Sequence, residues 1–423
     1  MALLIRLVSL ANLLCLAGLA LASGGHGRGQ LLPAGRIHAL NSDKLWTYTN
    51  PESTRFSRKA EFFHDCSSKR VTIKYGAVTV PPMTESDGMA QFFQRSTTLP
   101  CQDCYITWLQ MGLEHVDGRT ADADTGMWLH HGVMLNRNRT DAVCGTTGQR
   151  IAASGNERTA IDMSAGGLFK SGYYIGAADE VSLVVDVMNM SENNTQDDIV
   201  FTITYEFIDA SHAGDFSPVT TYWLDVGGCG DSDQPAYRDS TFNYMSPVFR
   251  GAQEGTITFV GGHLHDGGTH IDFIKNGEVA CSSSATYEAY RNVDEVGTTD
   301  HISSIDTCTM AGETNPGDEW LINAYYDTSV HKPMTLMDGS LEPVMGIMLV
   351  YVAEDVSESV LSRPKYWTIV FGVGGLAAVV MSIAAWLSQR EKRSYRIQLG
   401  GVHSPLYKDS NEEQESAVPL MNA

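Results

Sequence analysis

Two pairs of histidines are the residues of this chain whose type and spacing best suit chemistry. The first is Leu129-His130-His131-Gly132. The second is His263 and His265 within Gly261-Gly262-His263-Leu264-His265-Asp266-Gly267-Gly268. His263 and His265 stand one residue apart in a segment that reads as β-strand, so both imidazoles project from one face of a sheet and can reach a single metal. The flanking glycines leave room beside them for another ligand or a substrate. Imidazole-rich sites suit copper, zinc, iron or nickel rather than calcium or magnesium. His130 and His131 are consecutive, and neighbours on a regular strand point to opposite faces. Both reach one metal only if a bulge re-aims one of them. Two pairs in two successive β regions predict two metal centres in a two-domain protein. The alternative for each pair is a loop histidine bonded to backbone.

The elements that must hold these histidines are strands. Val71–Tyr75, Tyr105–Leu109, Val181–Met188, Ile199–Phe207, Gly255–Val260, Leu321–Tyr326 and Met345–Val352 are short, rich in β-branched and aromatic residues, and separated by Gly, Asp or Asn turns. Asn276-Gly277, between Ile271–Ile274 and Val279–Cys281, is the strongest hairpin signal, a type I′ turn. The reading is an all-β fold of two consecutive jelly-roll or β-sandwich lobes followed by one transmembrane helix. The lobes span residues 66–210 and 211–355, with the boundary in the polar stretch Asp209–Asp215. Residues 23–65 read as an N-terminal linker-like segment and 356–365 as a juxtamembrane linker.

Topology narrows the chemistry. Residues 1–22 carry Arg6, then an apolar run ending in Ala20-Leu21-Ala22, the order of a signal peptide. Residues 367–387 hold no charge and would span about 31 Å as a helix, enough for a bilayer core. Tyr366, Trp367 and Trp386 suit the interfacial belts, and Arg390, Lys392, Arg393 and Arg396 place the following tail, residues 388–423, in the cytosol. The expectation is a single-pass protein of the secretory pathway or cell surface, N-terminus lumenal or extracellular. Asn138, Asn189 and Asn193 lie in glycosylation sequons. The formal charge of −21 falls on the region between signal and tail, and it argues against nucleic acid as a partner.

Without Cys15, which leaves with the signal, seven cysteines remain, so one should be unpaired in an oxidising compartment. Cys281 and Cys308, in one lobe around one turn region, are the expected disulfide. Cys101-x-x-Cys104 lacks the second pair of a zinc cage and the βαβ context of a redox motif, which makes it structural.

The segments GGHLHDGG, GDEWLINAYYDTS and VMGIMLVYV carry a resemblance. Over roughly residues 65–355 the chain resembles the stress up-regulated nodulin family and its fungal relatives. More distantly it is similar to the copper type II, ascorbate-dependent monooxygenases, the peptidylglycine-hydroxylating kind. That resemblance implies two jelly-roll lobes with one copper each. It puts His263, His265 and Met345 on the oxygen-activating copper, with Met337 and Met348 as alternatives to Met345. It puts His130 and His131 on the electron-supplying copper. The third imidazole of that second site is expected near the end of Val181–Met188, where the chain offers Met188 as a weak thioether ligand; His115 or His64 are the substitutes. The implied cofactor is one or two copper ions, and the implied partners are a small-molecule or peptide substrate and a reductant. Two functions follow. One is a membrane-anchored, copper-dependent monooxygenase whose catalytic residues beyond the ligands are unassigned. The other is a non-catalytic copper-binding or adhesion glycoprotein with a depleted second site. A zinc hydrolase, with Glu278 or Asp266 as base, is a weaker third reading.

Truncation before Tyr366 is expected to release a soluble protein into the medium of expressing cells. Retention of the truncated chain in the membrane fraction would contradict the single-span reading.

Overall fold

A run of alternating or continuous apolar residues becomes a strand here according to how many of its faces are packed. The computed structural model describes residues 46–49, 52–191, 194–289, 300–336 and 338–354, and its strands form three sheets. One five-stranded sheet contains β1 (Met89–Gln94), β2 (Met127–Thr140) and β3 (Val181–Asn189), with β3 between the other two. A ten-stranded sheet draws on both halves of the chain. Toward one edge of it lie β4 (Ser217–Asp225), β5 (Gly255–Leu264) and β6 (Gly346–Ala353), with β6 paired to both β4 and β5. A third sheet, of five strands, includes Gly268–Lys275 and Trp320–Asp327. The one α-helical segment among the described residues is a single turn, Ala210–Ala213, at the expected boundary between the halves.

Strand β6 explains how the core is arranged. All eight of its residues are buried, because both faces are packed. Ile347, Leu349, Tyr351 and Ala353 face one core together with Val133, Val185 and Phe201 of the first half. Met348, Val350 and Val352 face a second core with Ile271, Phe273 and Trp320. Period-2 alternation thus assigns successive side chains of one strand to two different cores. Trp223 and Tyr222 of β4 divide in the same way. The first core therefore takes residues from both sides of the expected boundary.

Asn276 and Gly277 adopt positive φ values of 53° and 83° at the turn between paired strands, as a type I′ turn requires. Residues Trp46–Thr49 and Ser53–Arg58, which the sequence suggested to be linker, are strands. Ser53–Arg58 lies along Lys69–Val80 in register, a pairing that a short polar run does not announce. Disulfides join Cys101–Cys104, Cys144–Cys229 and Cys281–Cys308, consistent with an oxidising compartment, and Cys66 is free. Asn138 is exposed on β2, whereas Asn189 is fully buried, its Nδ2 donating to the Thr195 carbonyl at 2.8 Å. Asn193 lies outside the described residues. So do residues 1–22 and the segments 356–365, 367–387 and 388–423; no helix among the described residues is long and apolar enough to cross a membrane.

Cys144–Cys229 closes a separation of 85 residues and Cys101–Cys104 one of three. By loop entropy, losing the first should cost about 4.5 kcal/mol and losing the second about 1.5 kcal/mol. Chemical denaturation of the two Cys→Ser double variants should reproduce that order; a larger loss for Cys101/Cys104 would contradict it.

Candidate metal centre

The two histidine pairs expected to hold separate centres converge. His131 Nε2 and His265 Nε2 lie 3.2 Å apart although 134 residues separate them in sequence. The ligand-capable nitrogens of His130, His131 and His265 all fall within 4.8 Å of one another, and all three side chains are buried. Ring centroids of His130 and His131 are 4.2 Å apart, and that of His263 is 5.4 Å from His131 and 5.5 Å from His265. Residues expected in separate halves therefore meet in one buried cluster. His265 groups with His130 and His131 because β2 and the end of β5 face each other across the shared core, which local spacing cannot reveal.

A register shift in β2 makes the consecutive pair usable. Opposite β3, His131 pairs with Asp186 and Leu129 pairs with Val187, which leaves His130 as the extra residue of a bulge. Both rings then turn toward the same spot. The third imidazole of this site is His265. Neither proposed substitute supplies it: His115 instead meets Asp197, 3.1 Å from its Nδ1, and His64 lies in a short 3-10 turn near the N-terminal edge. Met188 packs in a separate cluster with Met89, Met190 and Trp128.

Each ring is oriented from behind. His265 Nδ1 sits 2.7 Å from the Pro343 carbonyl, which can only accept, so Nδ1 carries the proton and Nε2 presents its lone pair. Burial pushes the His265 imidazole down to about 3, which keeps it neutral at physiological pH. His130 Nε2 lies 2.7 Å from Glu342 Oε1, and His131 Nδ1 lies 3.9 Å from Asp186 Oδ2. His263 Nδ1 faces Glu157 Oε1 at 3.1 Å, and Glu157 also accepts from the Gly155 amide at 2.8 Å. Burial pulls the His263 imidazole down, but the Glu157 carboxylate outweighs it and leaves the ring raised. The same contact, against burial, holds Glu157 below the usual carboxylate range. His263 Nε2 is buried with no hydrogen-bond partner. An orphaned buried nitrogen beside three clustered imidazoles is what a site for a borderline-soft metal would provide. These residues fit copper.

Glu157, Glu342 and Asp186 were not singled out from sequence. Glu157 sits in a turn and Glu342 just before Pro343, and only their burial against imidazoles marks them. Gly155 is equally silent in sequence. A Cβ there would come within 2.7 Å of His263 Cε1 and of Glu157 Oε2, so glycine is required for the ring to dock. Met345 is buried in the first core, its carbonyl accepting from Tyr326 Oη at 2.8 Å. Of its alternatives, Met348 faces the second core and Met337 lies outside the described residues. With His131, His263, Gly261 and Gly262, Met345 lines a cavity of about 50 Å³ whose other walls include Val133, Ile161, Trp223, Phe259, Ile347 and Leu349.

No protein-family model matches the chain. Among curated proteins, it is 35% identical over 337 residues to the probable copper-dependent oxygenase M1 of Phoma sp., covering 76% of this chain and 86% of that protein. It is 34% identical over 301 residues to the probable copper-dependent oxygenase clz3 of Cochliobolus lunatus, covering 67% of this chain and 96% of that one. The chain belongs to this family of probable copper-dependent oxygenases. Among solved structures, the insecticidal delta-endotoxin Cry8Ea1 of Bacillus thuringiensis aligns at 8% identity over 62% of this chain and 55% of its own, with a TM-score of 0.19, too low to carry an argument. The buried histidine cluster and the relatedness to copper-dependent oxygenases point to the same metal.

Metal analysis after dialysis is expected to show His131→Ala and His265→Ala each losing most of the copper. His263→Ala, outside the tightest group, should lose less, and Gly155→Ala should resemble His263→Ala. Full copper retention in His131→Ala/His265→Ala would refute this assignment.

Proposed function

We propose that this protein is a copper-dependent oxygenase acting on an apolar group of a small-molecule or peptide substrate, with a small reductant as electron donor. The observation that carries the reading is that the imidazole cluster shares a wall with an apolar cavity. Copper bound there would supply one-electron chemistry with molecular oxygen. The overall reaction consumes one O2, two electrons from the reductant and two protons, and releases hydroxylated substrate and water.

The chain's own residues have distinct tasks. Val133, Ile161, Trp223, Phe259, Ile347 and Leu349 exclude water and hold the apolar part of the substrate. His131 and His263, which belong to both cavity and cluster, bring that group to the metal. Glu157 and the Pro343 carbonyl fix the proton on the Nδ1 atoms of His263 and His265, so each ring presents Nε2. The position of Met345 on the cavity wall supports it as a thioether ligand that favours Cu(I). The resemblance to ascorbate-dependent monooxygenases agrees with such chemistry, although here the histidines of the two halves meet in one cluster. We also infer export under the signal of residues 1–22 and anchoring through residues 367–387.

Copper-loaded protein is expected to consume oxygen when supplied with ascorbate. His265→Ala should lower that rate at least about tenfold through loss of the metal. Tight copper binding with no reductant-driven oxygen consumption would replace this reading with that of a non-catalytic copper-binding glycoprotein.

A further inference from the structure

A third cluster of buried side chains lies beside the histidines and has an unusual composition. It consists of Met83, Met89, Met188, Met190, Met334, Trp128 and Ala123, each no more than 7% exposed, and contains no Leu, Ile, Val or Phe. The second core, by contrast, is built on those four residue types and has one methionine, Met348. Packing alone needs no such concentration of thioethers, since branched aliphatics fill cores with better-defined rotamers. The register organises it. Met89 of β1 pairs with Met188 of β3, and Met188 pairs with Trp128 of β2. Residues opposite one another on neighbouring strands project from the same face, so these three form a row across three strands. Met190, just past the end of β3, joins the same cluster, as do Met83 and Met334 from outside the three strands.

The cluster adjoins the metal centre. Trp128 and Met334 line a cavity of about 20 Å³, roughly the space of a single water or ion, whose other walls carry His130, His263, His265 and the carboxylates Glu157, Asp266 and Glu342. Met334 is tied to that wall by its carbonyl, which accepts from the Glu342 amide at 2.9 Å. The donor chemistry is selective. Thioether sulfur is soft and favours Cu(I), and an indole face attracts a cation through its π quadrupole. No member carries a negative charge.

We propose that this methionine cluster is a second metal site, specific for monovalent copper, adjoining the histidine centre. It binds Cu(I) through thioether sulfurs drawn from Met89, Met188 and Met334 beside the Trp128 ring. The proposal concerns metal binding alone and stands independently of whether the histidine centre turns over oxygen.

The test uses the full-length protein carrying Cys66→Ser, His130→Ala, His131→Ala, His263→Ala and His265→Ala, so that the free thiol and all four clustered imidazoles are removed. Anaerobic titration with Cu(I) against a chromophoric Cu(I) chelator should show about one equivalent retained, with sulfur as the dominant scatterer in X-ray absorption. Ag(I) should displace it and Zn(II) should not. Adding Met89→Leu/Met188→Leu, volume-conserving swaps, should weaken Cu(I) binding at least about tenfold with little change in thermal stability. Cu(I) should quench indole fluorescence, and Trp128→Phe should remove that component. If the Met89/Met188 variant fails to fold, Met83→Leu/Met334→Leu provides the same comparison. No Cu(I) retained in the variant without the free thiol and the clustered imidazoles, or equal affinity after methionine replacement, would overturn the proposal and leave the cluster as core packing.

Discussion

Burial of the Gly346–Ala353 strand on both faces is the constraint on which the remaining architecture depends. A strand with only one packed face could serve a single core and leave the halves of the chain to fold apart. Here Ile347, Leu349 and Tyr351 pack against the first half while Met348, Val350 and Val352 pack against the second. The strand pairs with Gly255–Leu264 along one edge, so the end of that strand, with His263 and His265, is carried to the first core. The same packing places Pro343 and Glu342, just upstream, behind His265 and His130. Apolar burial thus brings together polar groups that have no strong attraction of their own at long sequence distance.

Once there, the imidazoles are governed by electrostatics rather than packing. Four rings in a nearly dry site cannot all be protonated, and burial drives His265 to the neutral form. Glu157 does the opposite for His263, its carboxylate accepting from Nδ1, raising the ring's affinity for a proton and orienting it. The site therefore holds one imidazole that is a ready lone-pair donor and one that is anchored by a carboxylate. Such outer contacts set tautomer and direction, and without them an imidazole cluster would collapse onto mutual hydrogen bonds. An apolar cavity on the other side of His131 and His263 completes an asymmetric arrangement, polar supports behind the rings and hydrocarbon in front.

Much of the fold was legible in the chain itself. Period-2 and continuous apolar runs marked Val71–Tyr75, Val181–Met188, Gly255–Val260 and Met345–Val352, all of which lie in or overlap strands. Asn276-Gly277 marked its hairpin because only residues that tolerate positive φ fit a type I′ turn. The chemistry of both histidine pairs was legible too, since imidazole type and one-residue spacing are local properties. So was the condition on His130 and His131, that a bulge must intervene, because strand geometry allows nothing else.

Tertiary structure alone decided which histidines share a site. Whether His130 and His131 meet His265 or a separate third ligand depends on a one-residue register shift opposite Asp186 and on the packing of strands 134 residues apart. The carboxylates Glu157 and Glu342 lie 106 and 212 residues from the rings they touch, and the Cys144–Cys229 bond spans 85. No periodicity extends so far. A sequence pattern reports the face on which a side chain stands within a few residues, because backbone geometry repeats over that range. The meeting of two such faces is set by the summed burial of many apolar residues, and only the folded chain resolves that sum.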